Sequence, residues 1–73
     1  MESAIKPEIE IKLKKVRIQK SLTQKYIAEK MGFSTQRYND IEKGRKLPSI
    51  LLALRLAEVM GCDVNELYCI KKK

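Results

Sequence analysis

The chain of 73 residues has no histidine and no tryptophan, and only three glycines, two prolines and two cysteines. Each scarcity excludes something. Without histidine there is no mixed Cys/His zinc site and no imidazole for acid–base chemistry. No glycine-rich phosphate loop or paired-acid cleft takes its place, and so short a chain encloses no substrate, so an enzyme is not expected. Few glycines and prolines argue against a loop-rich or all-β fold. Cys62 and Cys69 lie too far apart for a C-x-x-C motif; free thiols in a reducing compartment are the expectation. The first twelve residues hold no long apolar run, which predicts neither a signal peptide nor a membrane span, and hence a cytoplasmic protein. No metal, cofactor or small-molecule substrate is called for.

What the chain has is positive charge. Sixteen Lys and Arg against nine Asp and Glu leave a formal net charge of +7. Such an excess attracts polyanions by Coulomb attraction and by release of counterions from a phosphate backbone. Nucleic acid is the first candidate partner and an anionic membrane the second; an overcharged solvent face is the plainer reading. The hydrophobic content of 44% suffices for one small core, and with 5% aromatics that core must be mostly aliphatic.

Helical spacing and stop signals divide the chain into five helices, an all-α fold. Residues 1–6 read as an arm, 7–70 as the domain and 71–73 as a basic tail. Pro7 suits the first position of a helix running to about Lys20, with Ile9, Leu13 and Val16 as its buried stripe. Thr23 caps a second helix, Gln24 to Met31, which Gly32 ends. Ser34 caps a third, Thr35 to Lys43, buried through Tyr38 and Ile41 and stopped by Gly44. Ser49 opens a fourth containing Ile50, Leu51, Leu54, Ala57 and Val59, ending at Gly61. Asp63 caps a short fifth with Val64, Leu67 and Tyr68. Cys62, Tyr68, Cys69 and Ile70 either complete the core or form an apolar patch between two copies.

The informative stretch is Thr23 to Gly44. Two short helices joined by a three-residue turn cross steeply, so Ala28 must be small and Gly32 must accept an unusual backbone conformation. Around it stand V-R-x-x-x-x-L-T-Q at Val16 to Gln24, I-A-x-x-M-G at Ile27 to Gly32, S-T-Q-R-Y-N-D-I-E-K-G at Ser34 to Gly44, and L-P-S at Leu47 to Ser49. In these pieces, from about Leu13 to Leu67, the chain resembles the Cro/phage-repressor (Xre-type) helix-turn-helix family. The resemblance implies a compact lambda-repressor-like DNA-binding domain, a regulator and in particular a repressor. It implies double-stranded operator DNA as partner, bound as a homodimer with the third helix in the major groove.

Residue roles follow from that resemblance and from side-chain chemistry. Thr35, Gln36, Arg37, Asn39 and Asp40 fall on the base-reading face, with Gln36 foremost because a primary amide can pair with adenine N6 and N7. Gln24, Ser34, Lys43, Arg45, Lys46 and Ser49 are expected to contact phosphates, Gln24 at a helix N-terminus whose N–H groups favour an anion. Arg17 and Glu42 are expected to form a partly buried ion pair. Three positions depart from the pattern: Tyr26 replaces the acid of a capping box, Tyr38 fills a slot usually aliphatic, and Asp40 puts a negative charge on the reading face. The rival class is a protein-interaction module of the same fold, an antitoxin or anti-repressor, which needs no polar reading face. Membrane-surface binding is disfavoured because inter-helix packing consumes the apolar stripes.

Overall fold

The computed structural model describes residues 9–70. The expected arm (1–6), the helix start at Pro7 and the tail (71–73) lie outside the described residues. The element order is β1 (Ile9–Ile11), α1 (Leu13–Gln19), α2 (Gln24–Met31), α3 (Thr35–Glu42), α4 (Ile50–Met60), α5 (Val64–Leu67) and β2 (Tyr68–Ile70). Among the described residues there are five helices, but the all-α description is corrected by an antiparallel two-stranded sheet. It pairs Ile9 with Ile70, Glu10 with Cys69 and Ile11 with Tyr68. Ile9 therefore belongs to a strand and not to the buried stripe of α1, and Tyr68 leaves α5 for β2.

The reason is physical. Ile9-Glu10-Ile11 alternates apolar and polar residues and is rich in β-branched side chains, a strand pattern as well as a helical one. Which pattern prevails depends on a partner almost sixty residues away. The Lys12 N–H donates to the Leu67 carbonyl at 2.8 Å and carries the chain from the sheet into α1. That helix has no side-chain N-cap and is short, so its place comes from burying Leu13 and Val16 rather than from propensity.

The core gathers Leu13 and Val16 of α1, Ile27, Ala28 and Met31 of α2, and Tyr38 and Ile41 of α3. Leu56, Ala57 and Met60 of α4 and Leu67 of α5 complete it. Phe33, Val59, Cys62, Val64 and Tyr68 pack against its edge, whereas Ile70 is exposed. A second correction concerns α4. Ala57 is buried as expected, but Ile50, Leu51 and Leu54 face outward. The helix is apolar nearly all round, so its own periodicity does not choose a face; packing against α2 and α5 does. Both thiols are free, and burial raises that of Cys62. Among the described residues, no helix is long and apolar enough to cross a membrane.

Candidate nucleic-acid interface

The pair α2 and α3 is defined by local chemistry at its ends. Thr23 Oγ1 accepts the Tyr26 N–H at 3.0 Å, so α2 begins firmly although no acid occupies its third position. Gly32 ends it with φ +75°, a left-handed conformation that an L side chain adopts only at a cost. The Phe33 N–H then reaches back to the Ala28 carbonyl at 2.8 Å. Ser34 Oγ accepts the Arg37 N–H at 3.1 Å and starts α3. Both serines expected at phosphates, Ser34 and Ser49, use their oxygens as N-caps, Ser49 for the Leu52 N–H. Their hydroxyl hydrogens can still be donated.

Behind α3 lies a buried polar cluster centred on Glu42, whose side chain is 3% exposed. Arg17 Nε donates to Glu42 Oε1 at 2.7 Å, and Arg17 Nη1 donates to the Leu22 carbonyl at 3.0 Å. Gln24 Nε2 donates to Glu42 Oε2 at 2.9 Å and the Tyr38 hydroxyl to Glu42 Oε1 at 2.9 Å. Burial pushes the Glu42 carboxyl up, but hydrogen bonds from Arg17, Tyr38 and Gln24 outweigh it and hold it below the usual range. The Arg17 guanidinium is raised, chiefly by its hydrogen bond to Glu42. Burial, reinforced by the adjacent carboxylate, raises the Tyr38 phenol well above its ordinary value. The tyrosine in the usually aliphatic slot thus finds its partner within the same helix.

Gln24 also donates to Asn39 Oδ1 at 3.0 Å. Both hydrogens of its amide nitrogen are then engaged internally, so its side chain has no donor left for a phosphate while this arrangement holds. What α2 offers an anion at this end is its backbone N–H groups. Asn39 is held with its oxygen toward Gln24, and its Nδ2 hydrogens have no hydrogen-bond acceptor among the described residues.

The outer side of α3 is open. Thr35, Gln36 and Arg37 are exposed, and Asn39 and Asp40 are half-buried. Gln36 Nε2 donates to Asp40 Oδ1 at 3.1 Å, and Arg45 Nη1 meets the same oxygen at 3.3 Å. Asp40 therefore ties a candidate base reader to a candidate phosphate contact. The Arg37 guanidinium lies 4.0 Å from the centroid of the Phe33 ring, a cation–π placement that restrains its long side chain.

Beside this face runs an open cleft of about 750 Å³, lined by Ile11, Lys14, Arg17, Gln24, Asn39, Glu42, Lys43 and Arg45. It holds four cations and one acid, and that acid is committed to Arg17. Lys43 and Arg45, both expected at phosphates, line this cleft; Lys46 and Ser49 are exposed on the loop beyond. Lys14 was missed. It lies one helical turn before Arg17, and that spacing was the available signal.

Two short helices with a left-handed glycine turn, the second presenting an open polar side next to a cationic cleft, define a helix-turn-helix domain. A family profile described as helix-turn-helix matches residues 13–67. A helix-turn-helix-type transcriptional regulator of Methanocaldococcus jannaschii is 39% identical over 57 residues, 78% of this chain and 86% of its own. Another from Sinorhizobium fredii is 34% identical over 53 residues, 73% of this chain and 69% of its own. A propionyl-CoA carboxylase regulator of Cereibacter sphaeroides is 38% identical over 56 residues, which are 77% of this chain and 12% of that protein. The fold is shared with a crystal structure of a candidate DNA-binding protein from Bacteroides fragilis. That likeness has a TM-score of 0.80 at 24% identity and covers 85% of this chain and all of the other. The chain belongs to the helix-turn-helix family of Cro/C1 type, a family of DNA-binding transcriptional regulators.

Proposed function

We propose that the chain is a sequence-specific repressor. In this reading a homodimer covers two operator half-sites about 34 Å apart and reads each major groove with α3. The observation that carries the proposal is the exposed polar side of α3 lying directly against the cationic cleft. Gln36 is the principal base reader. One of its amide hydrogens goes to Asp40, while the other and the carbonyl oxygen remain for an adenine edge. Thr35, Arg37 and Asn39 complete the set that touches bases, and Asp40, expected on the same face, acts by holding Gln36 in position. Lys43, Arg45, Lys46, Ser34, Ser49 and Lys14 hold the phosphates, with the backbone N–H groups at the start of α2 serving where Gln24 itself is engaged.

The test begins with selection of bound sequences from a random DNA pool, where a palindrome is expected. Gln36→Ala then costs about 1–3 kcal/mol on the selected site and little on random DNA. Equal losses on both would remove Gln36 from the reading face. Recovery of no preferred sequence by the wild-type protein would overturn the proposal.

A further inference from the structure

Two amides stand on the open side of α3, and their surroundings decide what each can offer. Gln36 Nε2 gives one hydrogen to Asp40 Oδ1, which leaves Gln36 a second hydrogen and its carbonyl oxygen. Asn39 differs, because its amide is the last link of a chain that starts at a buried charge. Arg17 and Tyr38 donate to Glu42 Oε1, and Gln24 Nε2 donates to Glu42 Oε2 at 2.9 Å. A carboxylate only accepts, so Gln24 must turn its nitrogen, and not its oxygen, toward Glu42. The same nitrogen lies 3.0 Å from Asn39 Oδ1 and gives its second hydrogen there. Asn39 must then present its oxygen to Gln24, which leaves its own nitrogen on the far side of the amide. We propose that Asn39 meets DNA as a donor only and selects guanine, with Gln24 as the positioning residue that sets this polarity. The assignment rests on the proposed reading of the major groove by α3.

The reverse polarity is opposed at each link. A flipped Gln24 would set its carbonyl oxygen against Glu42 Oε2 with no hydrogen between them, beside a carboxylate that is 3% exposed. A flipped Asn39 would turn nitrogen toward nitrogen and take away the acceptor of Gln24. The donors around Glu42 hold its carboxyl below the usual range, so it stays an acceptor at neutral pH. On the cleft side, Asn39 has Lys14, Lys43 and Arg45 for neighbours, and their side chains only donate. The Nδ2 hydrogens are therefore left for a ligand. In the major groove guanine offers two acceptors, N7 and O6, whereas adenine pairs its N7 acceptor with the N6 donor. A group with only hydrogens to give matches the first edge and meets the N6 hydrogens of the second. Cytosine presents a donor as well, and thymine a single acceptor beside its methyl group. Gln36, which keeps one donor and one acceptor, suits adenine. Two amides of one helix thus read different bases, and the difference originates in the side chains packed behind them.

The experiment is selection from a random DNA pool by the full chain as wild type, Asn39→Ala and Gln24→Met. Wild type is expected to prefer guanine over adenine by about tenfold or more at one position of the site, and Asn39→Ala to lose the preference at that position alone. Gln24→Met keeps the length of the side chain but has no amide, so Asn39 is free to turn. Adenine should then be accepted there about as well as guanine, with the rest of the site unchanged. A Gln24 that serves stability alone would weaken binding to every sequence alike and leave the selected bases as they were, which would overturn its positioning role. Adenine at the Asn39 position of the wild-type site would overturn the donor-only assignment, as would an Asn39→Ala variant that loses affinity without any change of bases. The wild-type protein also gives a readout that needs no variant. Side-chain amide hydrogen exchange by NMR should show the Gln24 pair protected in the free protein and the Asn39 pair protected only with DNA bound; the opposite order would sink the chain of donors. Selection of no sequence by wild type would fail the α3 reading itself, whereas adenine at the Asn39 position fails the amide assignment and leaves that reading standing.

Discussion

Glu42 carries more of the architecture than any other polar side chain. It joins α1, α2 and α3 through Arg17, Gln24 and Tyr38, and all of these partners are needed to offset the cost of burying its charge. Glu42→Ala is expected to lower stability by about 3 kcal/mol in urea unfolding, the lower end for a broken buried pair because Arg17 keeps some contact with water. The pH dependence has a definite sign. A carboxyl whose folded pKa lies below its unfolded value of about 4.5 stabilises fully above that value. That contribution is lost as pH falls through the folded pKa. Glu42→Gln should therefore flatten the acid limb of the stability curve below about pH 4.5 while lowering the neutral plateau; an unaltered limb would mean that the carboxyl is not depressed. On the reading face, Asp40 restrains Gln36 and offsets Arg45. Asp40→Asn keeps an acceptor but drops the charge, so the salt slope of DNA binding should steepen by about one while base preference holds. Asp40→Ala should steepen the slope and blur the preference. Loss of affinity in both variants would show that Asp40 itself contacts the DNA.

At the scale of elements, the turns decide where the helices point. Gly32 and Gly44 both adopt positive φ, +75° and +81°. Their surroundings differ: a Cβ at Gly32 meets nothing within 4 Å, whereas one at Gly44 meets Ile11 Cδ1 at 3.0 Å. Gly32→Ala should therefore cost only the backbone penalty, about 1–2 kcal/mol. Gly44→Ala should cost more, because it also displaces β1. Equal losses in chemical denaturation would mean that Ile11 yields freely. The elements that were legible in advance were those with their own punctuation. Thr23, Gly32 and Ser34 bracket α2 and α3 so closely that their bounds follow from residue chemistry, as does the burial of Ala28, Tyr38 and Ile41. Neither β1 nor the exposed face of α4 carried such marks. Ile9 and Ile11 fit two periodicities, and α4 is apolar on nearly every side.

Across the whole molecule, the division between what was legible and what was not follows range. The chain's charge, its missing histidine, the caps and the turn glycines are properties of single residues or near neighbours, and they fixed the bounds of α2 and α3 and a polyanion partner before any coordinates, while the regulator came from the family resemblance of the motifs between Leu13 and Leu67. The ion pair of Arg17 and Glu42 was implied by the family resemblance, but its extension to Tyr38, Gln24 and Asn39 was not, because hydrogen-bond direction depends on where three helices meet. Tertiary structure alone decided that the ends of the chain pair as strands, that Gln24 turns inward, that Lys14 joins the cleft and that Ile50 faces water. Each outcome is a competition between distant groups for one burial site or one proton donor. Such a competition is settled by packing free energy, which no local pattern of residues contains.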